Sequence, residues 1–308
     1  MDLLDIFDEL PTVSSPIALK DEENIASSFR DDLLTWLVEG KTEPPRAPGL
    51  HCSSLWKTCA RVPLLEAKYS QYIEVKQDTA GGRMTYDVGH ALHHLIQNSY
   101  LGPFGRLWGG WKCIVCQKIT HEGRMPEACP VCDVPWRDEK DGIQNIVYAE
   151  LFVQNDRLKY CGHCDGIVLT RGGNKVVFEF KTISPSQYPK LKAPKHEHIV
   201  QVHAYMAALG LKSAIILYWD KGKQADWTQR DGRWANQNPH LKIFHVRYDQ
   251  GLWDKIAARI IDYHAAADLA RKLPVVEIKD IQQVHRVCNH KKCDLAGECH
   301  VRDLCFAI

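Results

Sequence analysis

The chain has no run of about 18 consecutive apolar residues, which excludes a membrane-spanning helix. It has no excess of charge of either sign: 39 Lys and Arg stand against 38 Asp and Glu, a net +1 at pH 7. That balance neither marks nor excludes a nucleic-acid partner, because a local basic groove can hide in a neutral total. No G-x-x-x-x-G-K-[ST] phosphate loop is present. No internal repeat occurs. The opening Met-Asp-Leu-Leu-Asp lacks the basic region of a secretory signal peptide, and the cytoplasm is the expected compartment.

Cysteine is what the chain does have: 12 in 308 residues, most of them at short, ligand-like intervals. In a reducing compartment such spacing points to metal before disulfides. The 45% apolar and 25% charged composition is that of a globular protein with a sizeable core. Residues 1–24 are acidic and punctuated by Pro and Ser, which predicts a loosely ordered arm, with 2–10 a candidate docking helix. Apolar spacing predicts helices over 25–39, from 53 towards 69, over 85–100, 196–209 and 249–272. A Pro-rich linker covers 41–48. Strand texture covers 145–154, 166–170, 175–180, 213–219 and 241–248, with Arg171-Gly172-Gly173-Asn174 turning a hairpin. A polar loop carrying Trp227 and Trp234 fills 220–240. Helices followed by a mixed sheet with a helix crossing between strands make an α/β core.

The hairpin carries the chemistry. Asp165 enters its first strand, and Glu179-Phe180-Lys181 lies on the second. Residues i and i+2 of a strand share a face, so Glu179 and Lys181 point together. Two carboxylates with water and a phosphate oxygen meet the demand of Mg²⁺ for hard ligands. An ammonium beside them can orient an attacking water or offset charge on a phosphorane. Glu-x-Lys is a common tripeptide, and alone it reads as a charged surface hairpin. Gln201 and Tyr205, one helical turn apart on the following segment, sharpen the pattern.

With Gly89-x-x-x-His93, Gly162-x-x-Asp165, Glu179-x-Lys181 and Gln201-x-x-x-Tyr205 in that order, the chain resembles the PD-(D/E)XK nucleases and, among them, the RecB-like exonucleases. That group includes CRISPR-associated RecB-type, AddB-like and phage recombination members. The resemblance runs from about residue 53 to the C-terminus. It implies a restriction-endonuclease-like core and Mg²⁺- or Mn²⁺-dependent cleavage of DNA at single strands or ends, in recombination, repair or phage DNA metabolism. A structure-selective or spacer-processing endonuclease and a non-catalytic nucleic-acid-binding metalloprotein are the alternatives. His93, Asp165, Glu179 and the Phe180 carbonyl would hold the metal. Lys181 would assist the water, and Gln201 and Tyr205 would position metal-site groups or the DNA strand. His90 and His94 lack the spacing from Gly89. Glu150, on the preceding strand, is left outside the site as a further carboxylate or a salt-bridge partner. DNA is the expected partner, with a helicase, single-strand-binding or recombination protein beside it. Lys190, Lys192, Lys195, His196 and His198 are candidates for a phosphate path, with Tyr188 to stack on a base.

The cysteines divide into three sets. Cys113, Cys116, Cys129 and Cys132 form C-x2-C-x12-C-x2-C, the spacing of a structural Zn²⁺ ribbon. Lys112, Lys118, His121 and Arg124 are the basic groups by which this ribbon would touch DNA, against a plain solvated surface. Cys59 and the terminal Cys293, Cys299 and Cys305 are the ligands that the resemblance implies for a 4Fe-4S cluster clipping the chain ends together. The terminal spacing departs from that branch: Cys299-x5-Cys305 is kept, Cys293 lies three residues early, and Ala60 stands where the branch has proline. Cys288 and Cys52 therefore remain rival ligands, and Zn²⁺ remains a rival ion. Cys161-Gly162-His163-Cys164 runs into a strand, so it lacks the helix N-terminus that would activate a redox thiol. The expected division is an arm and helix over 1–50, a helical part of the nuclease domain over 51–107, a zinc-ribbon insertion over 108–137, the nuclease core over 138–274 and a cysteine-rich cluster segment over 275–308.

Overall fold

The computed structural model describes residues 27–35, 37, 49–73, 79–138, 140, 142–222, 241–288 and 290–308. The expected arm, the Pro-rich linker and the loop with Trp227 and Trp234 lie outside the described residues. Backbone proximity divides the chain into two units, Met1–Arg46 with Lys76–Val88 and Ala47–Val75 with Gly89–Ile308. In the first, residues 27–35 are helical, with Phe29, Leu33 and Leu34 exposed. The second carries the sheets and the chemistry.

Strand β1 (Leu50–His51) leads into a 3-10 turn, Cys52–Lys57, and helix α1 (Arg61–Tyr69). The single helix expected from residue 53 is broken between them because the Trp56 and Thr58 carbonyls turn to accept from Arg259. Helix α2 (Ala80–His94) begins among the first unit's residues and ends among the second's, and it continues as a π-helical stretch, Leu95–Leu101. Ten strands are described: β1, β2 (Leu107–Cys113), β3 (Ile119–Glu122), β4 (Ile146–Ala149), β5 (Leu151–Asn155), β6 (Tyr160–Cys164), β7 (Gly166–Leu169), β8 (Lys175–Ile183), β9 (Ser213–Asp220) and β10 (Leu241–Arg247). Helix α3 (His196–Leu209) crosses from β8 to β9, and α4 (Gln250–Lys272) follows β10. Short helices α5 (Ile278–Gln282), α6 (Asp294–Gly297) and α7 (Arg302–Ala307) complete the chain. No described helix is long and apolar enough to cross a membrane.

The large sheet runs β10-β9-β8-β7-β2-β3, with β4 also paired to β2; the small one runs β1-β6-β5. The β8–β9 pair is parallel, as its helical crossover requires, and β7–β8 is the expected antiparallel hairpin. Strand β8 lies centrally, and Val176 to Phe180 are buried without a break, the pattern of a strand covered on both faces. On one face, Val177, Ala214 and Ile216 join α3, the small sheet and Ile256 and Ile260 of α4 in the main core. On the other, Phe178 and Phe180 pack with Ile96 and Leu92. Helix α3 buries Val200 to Met206 consecutively because it is enclosed on all sides, and Gly210 at φ +68° ends it in a left-handed cap. Asp249 caps α4 by accepting from the Leu252 N–H at 3.0 Å.

One expectation changes. The stretch 145–154 is two strands, broken at Glu150, because β4 pairs with β2 in the large sheet whereas β5 pairs with β6 in the small one. The cysteine island is also tied into the large sheet: its strand β2 pairs with β7 at Trp108↔Ile167, and Trp111 is buried. Gly162 of β6 sits where a Cβ would meet the Cys52 Sγ at 3.0 Å and the Tyr205 ring at 3.3 Å, both fully enclosed. Gly162→Ala therefore overpacks the core, with an expected loss of about 1–3 kcal/mol measured by urea denaturation.

Candidate active site

Glu179 stands in the middle of the apolar run of β8 with 1% of its surface exposed. Its Oε1 accepts from the Lys181 ammonium at 2.6 Å, which shows the two on one face as the strand period predicts. Its Oε2 is buried with no hydrogen-bond partner. Burial first, then the charge of Asp165, pushes the Glu179 carboxyl up to about 8. Burial alone would lower the Lys181 pKa; the charges of Glu179 and Asp165 outweigh it, so the ammonium stays charged.

Asp165 occupies the single residue between β6 and β7, where the chain passes from the small sheet to the large one. Its Oδ2 accepts from the Phe180 N–H at 2.7 Å, and its Oδ1 lies 3.2 Å from Nδ1 of His93. Phe180 is thus a site residue through its amide as well as by position, and its ring meets the His93 ring edge-on at 4.8 Å. Burial works against a charged His93, but the Asp165 hydrogen bond and charge overcome it and raise its pKa. Gly89, one turn before His93, allows only ordinary contact with Thr182.

Gln201 and Tyr205 are buried. Gln201 donates to the Tyr205 hydroxyl at 3.2 Å, and that hydroxyl donates to the His163 carbonyl at 2.5 Å, two residues before Asp165. They hold the strand that delivers the carboxylate.

Three residues enter the site that spacing did not select. One nitrogen of His93 and one oxygen each of Glu150 and Asp165 lie within 4.8 Å of one another. Glu150 fills the break between β4 and β5, a break that the unbroken strand texture of 145–154 concealed. Gln97 and Asn98, buried in the π-helical turn after His93, donate to the Asp165 carbonyl at 2.9 Å and accept from the Tyr148 N–H at 2.5 Å. Their only sequence signal is a pair of amides on the buried side of an apolar helix. A π-helical turn is a common accompaniment of functional sites. Here it lets consecutive amides reach two different strands.

The hard oxygen and imidazole donors suit Mg²⁺ or Mn²⁺, and a buried carboxylate oxygen with no partner is what a cation would satisfy. The residues fit such an ion.

The four central cysteines also converge. Four thiolates about 2.3 Å from a central Zn²⁺ stand roughly 3.8 Å apart. Cys113 and Cys132 are 3.7 Å apart, and Cys116 and Cys129 are 3.6 Å apart. The two turns are built alike. Each closes with the first cysteine's N–H on a carbonyl five residues on, Lys118 at 2.9 Å and Val134 at 2.8 Å. Each places the residue after its second cysteine at positive φ, Gln117 at 61° and Asp133 at 59°. Backbone N–H groups of Cys132 and Val131 pull the Cys129 thiol down to about 7. The set fits a closed tetrahedral ion.

At the far end of the unit, Cys59, Cys288, Cys299 and Cys305 line one cavity. Cys293 does not line it; its Sγ caps α6 by accepting from the Ala296 N–H. Around that cavity Arg61 donates to the Val284 carbonyl at 2.8 Å and Lys68 to the Val276 carbonyl at 2.9 Å. Ala60, Leu64 and Leu65 pack with Ile281, Val301 and Cys305. Cys52 lies apart from that set, in the main core, where burial and then the charge of Glu179 raise its thiol. Cys161 and Cys164 are buried too. Of the expected DNA-facing groups, Tyr188 carries the Lys242 ammonium 4.5 Å above its ring. His198 turns inward, with Nδ1 2.6 Å from the Tyr218 hydroxyl.

Two predictions follow from these contacts. Tyr205→Phe removes the hydrogen bond to His163, so urea denaturation should show a loss of about 1 kcal/mol, with the fold retained by circular dichroism. Burial, then the charges of Lys181 and Lys195, drives the His198 pKa from its ordinary 6.5 down to about 3. Above the ordinary value the ring is neutral folded and unfolded; below it only the unfolded chain gains the proton, so stability is lost as pH falls towards the folded pKa. Urea midpoints at pH 7 and pH 4 should drop less for His198→Gln than for the native chain, by up to about 1.4 kcal/mol per pH unit.

No protein-family model matches the chain, and no curated protein matches it. Among solved structures, the alkaline exonuclease LHK-Exo of Laribacter hongkongensis aligns at a TM-score of 0.40 and 12% identity, over 78% of this chain and 93% of its own. A phage-related exonuclease of Haemophilus somnus 129PT aligns at 0.37 and 14%, over 72% and 94%. The protein SSO0001 aligns at 0.37 and 12%, over 79% and 86%. Likeness this distant leaves the chemistry of the chain to its own residues.

Proposed function

We propose that the chain is a divalent-metal-dependent nuclease of the RecB-like PD-(D/E)XK kind, acting on DNA at single strands or ends. One observation carries the reading: a carboxylate enclosed on a central strand, with one oxygen on a charged lysine, the other without a partner, and Asp165 and His93 beside it. A structural role does not account for an unpartnered buried oxygen, which costs stability unless something binds there. Asp165 and Glu179 hold the ion with His93, and the Phe180 carbonyl is the backbone ligand. Bound there, Mg²⁺ or Mn²⁺ supplies Lewis-acid polarisation of a phosphoryl oxygen and eases deprotonation of water. Lys181 orients that water and offsets charge on the phosphorane.

Zn²⁺ at Cys113, Cys116, Cys129 and Cys132 is structural in this reading, a closed site that braces β2 and β3. A 4Fe-4S cluster at Cys59, Cys299 and Cys305 takes Cys293 or Cys288 as its fourth ligand, and the cavity lining favours Cys288.

End-labelled linear DNA with Mg²⁺ or Mn²⁺ tests the activity. Glu179→Gln and Lys181→Ala are expected to slow cleavage by at least about 10²–10³-fold with DNA binding retained, as for loss of a transition-state stabiliser. Unchanged activity in both variants would leave a binding protein instead. A circular single strand should resist cleavage; its digestion would make the enzyme an endonuclease. Metal analysis of protein purified without oxygen should find about one zinc and, with the cluster, about four irons per chain.

A further inference from the structure

Strands β5 and β6 pair in antiparallel register from Asn155↔Tyr160 to Leu151↔Cys164. One step further in that register sets Glu150 opposite Asp165. These are also the two residues at which neighbouring strands leave the small sheet for the large one: β5 joins β4 through Glu150, and β6 joins β7 through Asp165. A single geometric event, the parting of two sheets, therefore places two carboxylates side by side. Their oxygens stand within 4.8 Å of each other and of a His93 nitrogen.

Glu150 is exposed, and an exposed glutamate free to choose would swing away from a second carboxylate. It stands instead within reach of Asp165 and His93, beside Gln97, whose amide donates to the Asp165 carbonyl at 2.9 Å. The independent sign of a cation is Glu179: almost wholly buried, its Oε2 without a partner, and near enough to Asp165 and His93 to feel their charges.

We propose that Glu150 is a ligand of the divalent ion at His93 and Asp165, so that the site offers three carboxylates where the spacing of motifs marked two. This rests on the metal site of the nuclease reading, and it adds a ligand from a strand outside the hairpin. Gln97 is a positioning residue for Asp165, through its carbonyl. The third carboxylate raises affinity for the ion and, being exposed, lies on the side from which substrate arrives.

Mn²⁺ binding by the full-length protein, freed of labile divalent ions and without DNA, is measured by electron paramagnetic resonance for the native chain and for Glu150→Gln, Asp165→Asn and Glu122→Gln. Glu150→Gln and Asp165→Asn should each weaken binding at least tenfold, with Glu122→Gln unchanged. Native affinity in Glu150→Gln, with affinity lost in Asp165→Asn, overturns this inference and leaves the nuclease reading standing. Native affinity in both overturns the metal site itself. Should Glu150→Gln fail to fold, Glu150→Asp keeps the charge and shortens its reach. A loss of Mn²⁺ affinity of at least fivefold there supports the role, and native affinity overturns it.

Discussion

The structure depends on one buried charge. A glutamate in the middle of a central strand, in a run otherwise composed of Val and Phe, costs several kcal/mol to desolvate unless it is paired. Lys181 pairs one oxygen and leaves the other open. The rest of the second unit encloses that pair: α3 and the small sheet cover the face that Glu179 and Lys181 share, and the end of α2 covers the opposite one. A side chain that violates the pattern of its own strand marks a place where stability gives way to chemistry.

Around it, the acidic residues are set by backbone events rather than by side-chain flexibility. Asp165 and Glu150 occupy the points at which two neighbouring strands change sheets, where each chain must bend. Phe180 offers its N–H to Asp165 because the carboxylate arrives alongside β8 at that level. Tyr205 fixes the His163 carbonyl from below, and Gln97 fixes the Asp165 carbonyl from the π-helical turn. Two of these bonds hold main chain and the third holds the carboxylate itself, so Asp165 is oriented by the fold.

Much of this was legible beforehand. The hairpin of Asp165 and Glu179-x-Lys181 followed from period-2 alternation and a Gly-Gly turn, and α3 over His196–Leu209 from apolar spacing. The spacing of Cys113, Cys116, Cys129 and Cys132 anticipated a group of four sulfurs, although the close pairs, Cys113 with Cys132 and Cys116 with Cys129, form between the two turns and need the fold to bring those turns together. The break at Glu150 was not legible, since Ala149, Glu150 and Leu151 interrupt neither polarity nor length enough to mark a strand end. Nor was the fate of the cysteine island, whose first strand reads like part of a small metal module and is in fact a member of the central sheet.

By itself the sequence determined which residues are chemically equipped: Glu179 and Lys181 on one face, Asp165 ahead of them, His93, Gln201 and Tyr205 at helical intervals. These are local relations, set by the two- and 3.6-residue periods of strand and helix. Only the tertiary structure decided that Tyr205 bonds the His163 carbonyl, that Gln97 bonds the Asp165 carbonyl, and that Glu150 stands beside Asp165. Those facts depend on register between strands far apart in the chain and on where two sheets part, and no local period encodes either.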